Sequence, residues 1–210
     1  MQMEDFQKML NFVKKVLEEN DAIRPTNPRH QFRSRYTHTL RVLEWCKRIK
    51  SDKPKCNLDI LYTAAIFHDS GYAVNKNNHA YFSSKIFIDY AKENNFNQDF
   101  IDKVSNIVLS HSDKKLLNDP SSSDELILLL EADLLDEEGA LGIIWDLMAE
   151  GQNNPSDYGS ALYALWIHSA HILNQDYMVT PLAKEYWNKK KEIVKNFISD
   201  IEEDLFIEVK

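Results

Sequence analysis

With 210 residues and a formal charge of -8, the chain is long enough to bury one substantial core and too acidic for broad contact with nucleic-acid backbones. Gly and Pro are scarce (5 and 6) and no Ser/Gly-rich linker interrupts the chain, so one domain over residues 1–210 is expected. No apolar run approaches the ~20 residues of a membrane span, the start lacks a signal peptide's basic and apolar regions, and Cys46 and Cys56 lack CxxC spacing. No membrane partner, no disulfide framework and a cytoplasmic location follow as expectations.

Taken in chain order, nearly every segment reads as helix. Phe6, Leu10, Val13 and Leu17 recur at helical spacing. A second helix runs from about Arg33 to Lys50, and a third, capped by Asn57, reaches His68 with Gly71 as its stop. The next follows His79, with Phe82, Ile86 and Tyr90 on one face. Phe100, Val104, Ile107 and His111 then mark another. Ser112 to Ser123 is the longest polar loop, closed by a capping-box spacing of Ser122 and Glu125 before a Leu-rich helix. Gly151 to Asp157 is a second loop, and helices from about Tyr158 to Asn174 and from Pro181 onward close the chain. With no alternating strand pattern and no internal repeat, the fold class is all-α.

The residues that do not suit such a fold are the informative ones. His68-Asp69 ends the apolar run Ile60-Leu61-Tyr62-Thr63-Ala64-Ala65-Ile66-Phe67. Burying a polar group without a partner costs roughly 2–7 kcal/mol, and a charge costs more, so pairing or a metal ion is needed there. His38, in Arg35-Tyr36-Thr37-His38, and Asp133, in Glu131-Ala132-Asp133-Leu134-Leu135-Asp136, stand in similarly odd settings. Leu126, Leu130 and Asp133 fall at i, i+4 and i+7, which places the carboxylate on a buried stripe. His111 falls at the inner end of its own stripe.

The order His38, His68-Asp69, Asp133 resembles the HD-domain superfamily of metal-dependent phosphohydrolases. The likeness is carried by Arg35-Tyr36-Thr37-His38-Thr39-Leu40-Arg41-Val42, Ala64-Ala65-Ile66-Phe67-His68-Asp69-Ser70-Gly71-Tyr72 and Glu131 to Ile143. It covers residues 30 to 145, with Tyr177 to Lys184 similar to the C-terminal part of small stand-alone bacterial members. The resemblance implies a helical bundle with a motif-bearing core at 30–145, helices over 158–210 packing on it, and a metal site in its interior. One divalent metal held by His38, His68, Asp69 and Asp133 is implied. Two imidazoles and two carboxylates suit Mn, Fe, Co, Ni, Zn or Mg rather than a Cys-type structural zinc. Such an ion lowers the pKa of a bound water and polarises a phosphoryl oxygen.

The implied activity is hydrolysis of a phosphoester or phosphoanhydride in a small phosphorylated substrate, a nucleotide for preference. Asp69 and His79 are the catalytic candidates, His79 as proton donor to the leaving oxygen. Arg35, three residues before His38 on the same helical face, is matched to an Arg that contacts substrate phosphate. His79 and His111 are the other substrate-binding candidates. A dinucleoside polyphosphate hydrolase with a second metal ligated by His111 is the neighbouring reading, and a non-catalytic nucleotide-binding module a third. His168 and His171, one turn apart, read as surface residues, His30 as exposed, and Asp136-Glu137-Glu138 as a helix-end charge cluster. Oligomeric state has no signal in the sequence.

Overall fold

A computed structural model describes residues 1–20, 34–153 and 157–206, and every regular element among them is helical. The all-α expectation is met. Arg33 and His30 lie outside the described residues. The chain divides into two compact units, Met1–Asp133 and Leu134–Lys210.

The first unit is built around α3 (Leu58–Phe67), which packs against α1 (Met3–Glu19), α2 (Arg35–Ile49), α4 (His79–Glu93) and α5 (Gln98–Ser110). Seven of its residues, from Ile60 to Phe67, are buried, so it has no polar face to turn outward. A helix that is apolar all round belongs inside. Ala64 and Ala65 leave room for the surrounding helices, and Phe67 packs against Phe12, Phe87 and Tyr90 with ring centroids 5.2–6.0 Å apart. Because α3 is central, its C-terminal residues His68 and Asp69 emerge into the interior instead of the surface. That placement starts the functional site.

Local polar bonds fix where the helices begin. Ser34 Oγ accepts the Thr37 amide at the start of α2, Asn57 accepts from Asp59 and Ile60, and Asn97 accepts from Phe100. At α6 (Asp124–Glu137) the cap lies one residue later than its spacing suggests. Ser123 Oγ accepts the Leu126 amide, Ser122 Oγ donates to Leu116, and Glu125 accepts the Asn57 amide. Gly71 also has a different task from the one its position implies. α3 ends at Phe67, and Gly71 lies in a 3₁₀ turn over Ser70–Ala73. A Cβ there would stand 2.1 Å from the His79 carbonyl oxygen and 2.5 Å from the Ser83 amide. The missing side chain lets this turn press against the first turns of α4, where the Gly71 amide donates to Ser83 Oγ.

In the second unit α7 (Ala140–Asn153), α8 (Tyr158–His168) and α9 (Pro181–Asp204) pack on one another. α7 absorbs Gly151, the first residue of the expected second loop, and α8 stops at His168, followed by a 3₁₀ turn over Ala170–Asn174. Gly139 separates α6 from α7 with φ of +77°, a conformation L side chains avoid, and a Cβ there would meet Lys190. The cluster read as helix-end charge is partly buried. Asp136 is inside, and Glu138 pairs with His171 at 3.0 Å while Lys190 donates to the Glu138 carbonyl. His171 therefore has an acidic partner.

Burial pushes the Glu138 carboxyl up to about 7; His171 opposes the shift, and Glu137 and Asp146 add to it. With a folded pKa above the unfolded value of about 4.3, Glu138 ionises first in the unfolded chain. Stability is then lost as pH rises from the unfolded value to about 7. Glu138→Gln cannot ionise, so it should match the wild type near pH 4 and exceed it near pH 8 by about 1–3 kcal/mol. Denaturant melts at the two pH values check this; parallel pH profiles for the two proteins would contradict it.

Candidate metal centre

Four helix ends, one 3₁₀ turn and one helix interior meet at one place. The first turn of α2 supplies Arg35 and His38, the end of α3 supplies His68 and Asp69, the start of α4 supplies His79, and the end of α5 supplies His111. The 3₁₀ turn over Lys114–Asn118 begins with Lys114, and α6 contributes Asp133. His68, Asp69, His111, His38 and Asp133 are all buried.

The distances define two groups that share Asp69. In the first, His38 Nε2 stands 3.2 Å from His68 Nε2, and Asp69 Oδ2 lies 3.4 Å from His38 Nε2 and 3.7 Å from His68 Nε2. Asp133 Oδ1 joins them at 3.3 Å from His38 Nε2 and 3.9 Å from His68 Nε2. Donor atoms bonded to one ion at about 2.0–2.3 Å stand roughly 3–4 Å from each other, so this spread fits a common centre. In the second group, Asp69 Oδ1 lies 3.6 Å from His79 Nε2 and 3.4 Å from His111 Nε2. Both trios, His38-His68-Asp69 and Asp69-His79-His111, keep their ligand atoms within 4.8 Å of one another.

Backbone carbonyls decide which ring nitrogens carry protons. Nδ1 of His68 faces the Ala65 oxygen at 2.8 Å, that of His111 faces Val108 at 2.7 Å, and that of His79 faces Lys76 at 3.0 Å. A carbonyl only accepts, so each Nδ1 is the donor and each neutral ring turns the lone pair of Nε2 inward. Three such lone pairs point toward carboxylate oxygens. Without positive charge between them the contacts repel, and a divalent cation relieves them. Here the donor set and the orientation of its lone pairs both fit a divalent metal site.

The protonation states agree. Burial lowers His68 to about 4, with Asp69 and Asp133 opposing, so its ring is neutral near pH 7. His79 is lowered by burial against the pull of Asp69. For Asp69, burial acts to raise the pKa, but the fixed charge of Arg35 holds the carboxylate well below its ordinary value, and protonation of His68, His111 or His38 would hold it lower still. Asp133 is held down in the same way, with Lys114 and His38 outweighing its burial. Neutral imidazoles and ionised carboxylates are the ligand forms a metal needs.

Arg35 is tied into the cluster. Its Nη1 donates to Asp69 Oδ2 at 2.7 Å, and its guanidinium lies 3.9 Å from the centre of the Tyr72 ring, whose other neighbour is His79 at 4.3 Å between centroids. Tyr72 thus joins the two polar residues into one stack. Lys114, part-exposed, places Nζ 2.5 Å from Asp133 Oδ2 and 3.4 Å from the His111 oxygen. Ser112 Oγ is 3.1 Å from His79 Nε2. Sequence reasoning passed over Tyr72, Ser112 and Lys114. The available signal was that His111, Ser112 and Lys114 stand within four residues of one another at the mouth of a polar loop. His168 and His171 belong to neither group.

Comparison with known proteins agrees with this geometry. Residues 35–138 match the family model of the HD domain. Solved structures with the same fold include the Lin1889 protein of Listeria innocua, at 22% identity over 100% of both chains and a TM-score of 0.68. An HD-superfamily hydrolase of Bacillus thuringiensis aligns at 19% identity over 99% of this chain and 100% of that one, with a TM-score of 0.70. YpgQ of Bacillus subtilis, in a complex with ADP, aligns at 21% identity over 95% and 97%, with a TM-score of 0.63. No curated protein matches the sequence significantly. Among the described residues no helix is long and apolar enough to cross a membrane. Through residues 35–138, which hold His38, the His68-Asp69 doublet and Asp133, the chain belongs to the HD-domain superfamily.

Proposed function

We propose that the protein is a metal-dependent phosphohydrolase that cleaves a phosphoester or phosphoanhydride bond of a nucleotide. The observation that carries this reading is the convergence of two imidazole Nε2 atoms and two ionised carboxylates at His38, His68, Asp69 and Asp133. These four residues would hold one divalent ion, drawn from Mn, Fe, Co, Ni, Zn or Mg. Such an ion supplies Lewis acidity to a phosphoryl oxygen and makes water nucleophilic near neutral pH. ADP in the YpgQ complex supports a nucleotide as the ligand class.

The remaining residues have roles that follow from their contacts. Arg35 holds Asp69 in place and sets a positive charge one carboxylate away from the phosphate. His79 is half-buried with Nε2 against Ser112 Oγ, and once protonated at Nε2 it gives a proton to the leaving oxygen. His111 lines the pocket beside it. Substitution of His68 or Asp69 by Ala should abolish phosphate release from every nucleotide the wild type accepts, with the helical circular-dichroism spectrum retained. Full activity of Asp69→Ala with verified metal content would sink the mechanism. Nucleotide binding with no release across the panel would instead favour a regulatory module.

A second reading is favoured by the Asp69-His79-His111 group, in which Asp69 presents Oδ1 while Oδ2 faces the first site. Asp69 would then bridge two ions, an arrangement suited to clamping both oxygens of an in-line displacement, and a dinucleoside polyphosphate is a candidate substrate. Titration of manganese into metal-free protein separates the two cases. The first reading predicts one ion per chain, unchanged by His79→Ala with His111→Ala. The second predicts two, falling to one in that double variant.

A further inference from the structure

We propose that Lys114 is a substrate-binding residue: its ammonium leaves Asp133 for a phosphate oxygen when metal and phosphate are both bound. The assignment rests on the phosphohydrolase reading above. Two cations touch the acidic ligands among the described residues, and they differ in reach. Arg35 is buried, bonded to Asp69 and stacked on Tyr72, with its side chain 7% exposed. The Lys114 side chain is 29% exposed, so it stands at the edge of the centre and not inside it.

Geometry also says which oxygen of Asp133 Lys114 holds. Oδ1 faces His38 and His68, and Oδ2 receives the ammonium. The bond therefore steers Oδ1 toward the position a metal would take and leaves Lys114 beside it. An ammonium carries three N–H donors. Here one is on Asp133 and a second makes a long contact of 3.4 Å to the His111 oxygen, which leaves capacity for a further acceptor.

Metal binding changes the balance of these contacts. A divalent charge held next to Oδ1 would draw electron density from the Asp133 carboxylate and repel the nearby ammonium, and a phosphate entering the site would offer Lys114 a fresh counter-charge. The four-carbon stem of lysine can swing its head group several ångströms without backbone movement. Lys114 begins the 3₁₀ turn that follows His111 and Ser112, so one short segment would bring a pocket imidazole, a hydroxyl and a phosphate-binding cation together.

The test measures binding of inorganic phosphate, by calorimetry at saturating manganese, to wild type, Lys114→Gln, Lys114→Arg and the neighbouring control Lys115→Gln. Manganese stoichiometry is measured in parallel. The expected result is an unchanged manganese count, phosphate affinity at least about tenfold weaker in Lys114→Gln, partial recovery in Lys114→Arg, and no change in Lys115→Gln. With an accepted nucleotide, kcat/KM of Lys114→Gln should fall on the order of 10²-fold. Wild-type phosphate affinity in Lys114→Gln at saturating manganese would overturn the proposal. So would loss of manganese from that variant, which would make Lys114 a support for Asp133 alone, or absence of phosphate binding in the wild type. If phosphate binds through Lys114 but no nucleotide is hydrolysed, the phosphohydrolase reading fails and the assignment of Lys114 stands.

Discussion

The Asp69 carboxylate is the contact on which the site depends. It is buried, ionised and divided between two sets of partners, with Oδ2 toward Arg35, His38 and His68 and Oδ1 toward His79 and His111. An ion moved from water into a protein interior costs several kcal/mol even after relaxation, and the cost is recovered only where partners are close and well oriented. Arg35 supplies one such partner. The imidazoles supply lone pairs, which do not help a carboxylate until a cation sits between. The first unit is thus organised around a charge that its own side chains compensate incompletely, and a divalent metal would complete it.

The fold makes that arrangement affordable by sending helix ends, rather than helix middles, to the centre. At the end of a helix the last carbonyls are free to accept bonds from side chains. His68 and His111 each use the carbonyl three residues back to fix their tautomer, and both stand at the C-terminal cap of a helix. His79 does the same with Lys76 at the start of α4. The absence of a side chain at Gly71 permits the close approach that brings α4, and so His79, beside the doublet. Asp133 alone comes from within a helix, and it is the ligand candidate that needs a cation of its own, Lys114, at its outer oxygen.

Much of this was legible in the sequence. A His-Asp pair at the end of a helix that is apolar on every side has few structural uses, and the helices themselves followed from periodicity and caps. Asp133 was placed inside by its stripe, although the stripe discriminates less than it suggests, since every residue from 126 to 136 is buried. What the sequence hid were contacts made by loops. Lys114 stands in a polar stretch with no periodicity, and only the fold brings it to Asp133. His79 was legible as a site residue, but its sharing of Asp69 with His111 was not, because the tight turn over Ser70–Ala73 that doubles the chain back has no pattern beyond one glycine. Glu138 read as a surface charge for the same reason, its partner His171 lying 33 positions on. The stack of Arg35, Tyr72 and His79 likewise joins three segments that periodicity treats separately.

The central claim is that His38, His68, Asp69 and Asp133 hold one divalent ion. It is tested most directly by a crystal structure of manganese-loaded protein with anomalous differences recorded at the manganese edge. The account predicts an anomalous peak about 2.0–2.3 Å from His38 Nε2, His68 Nε2, an Asp69 oxygen and Asp133 Oδ1. A peak elsewhere, or a fully loaded crystal in which Asp133 does not reach the ion, would contradict it.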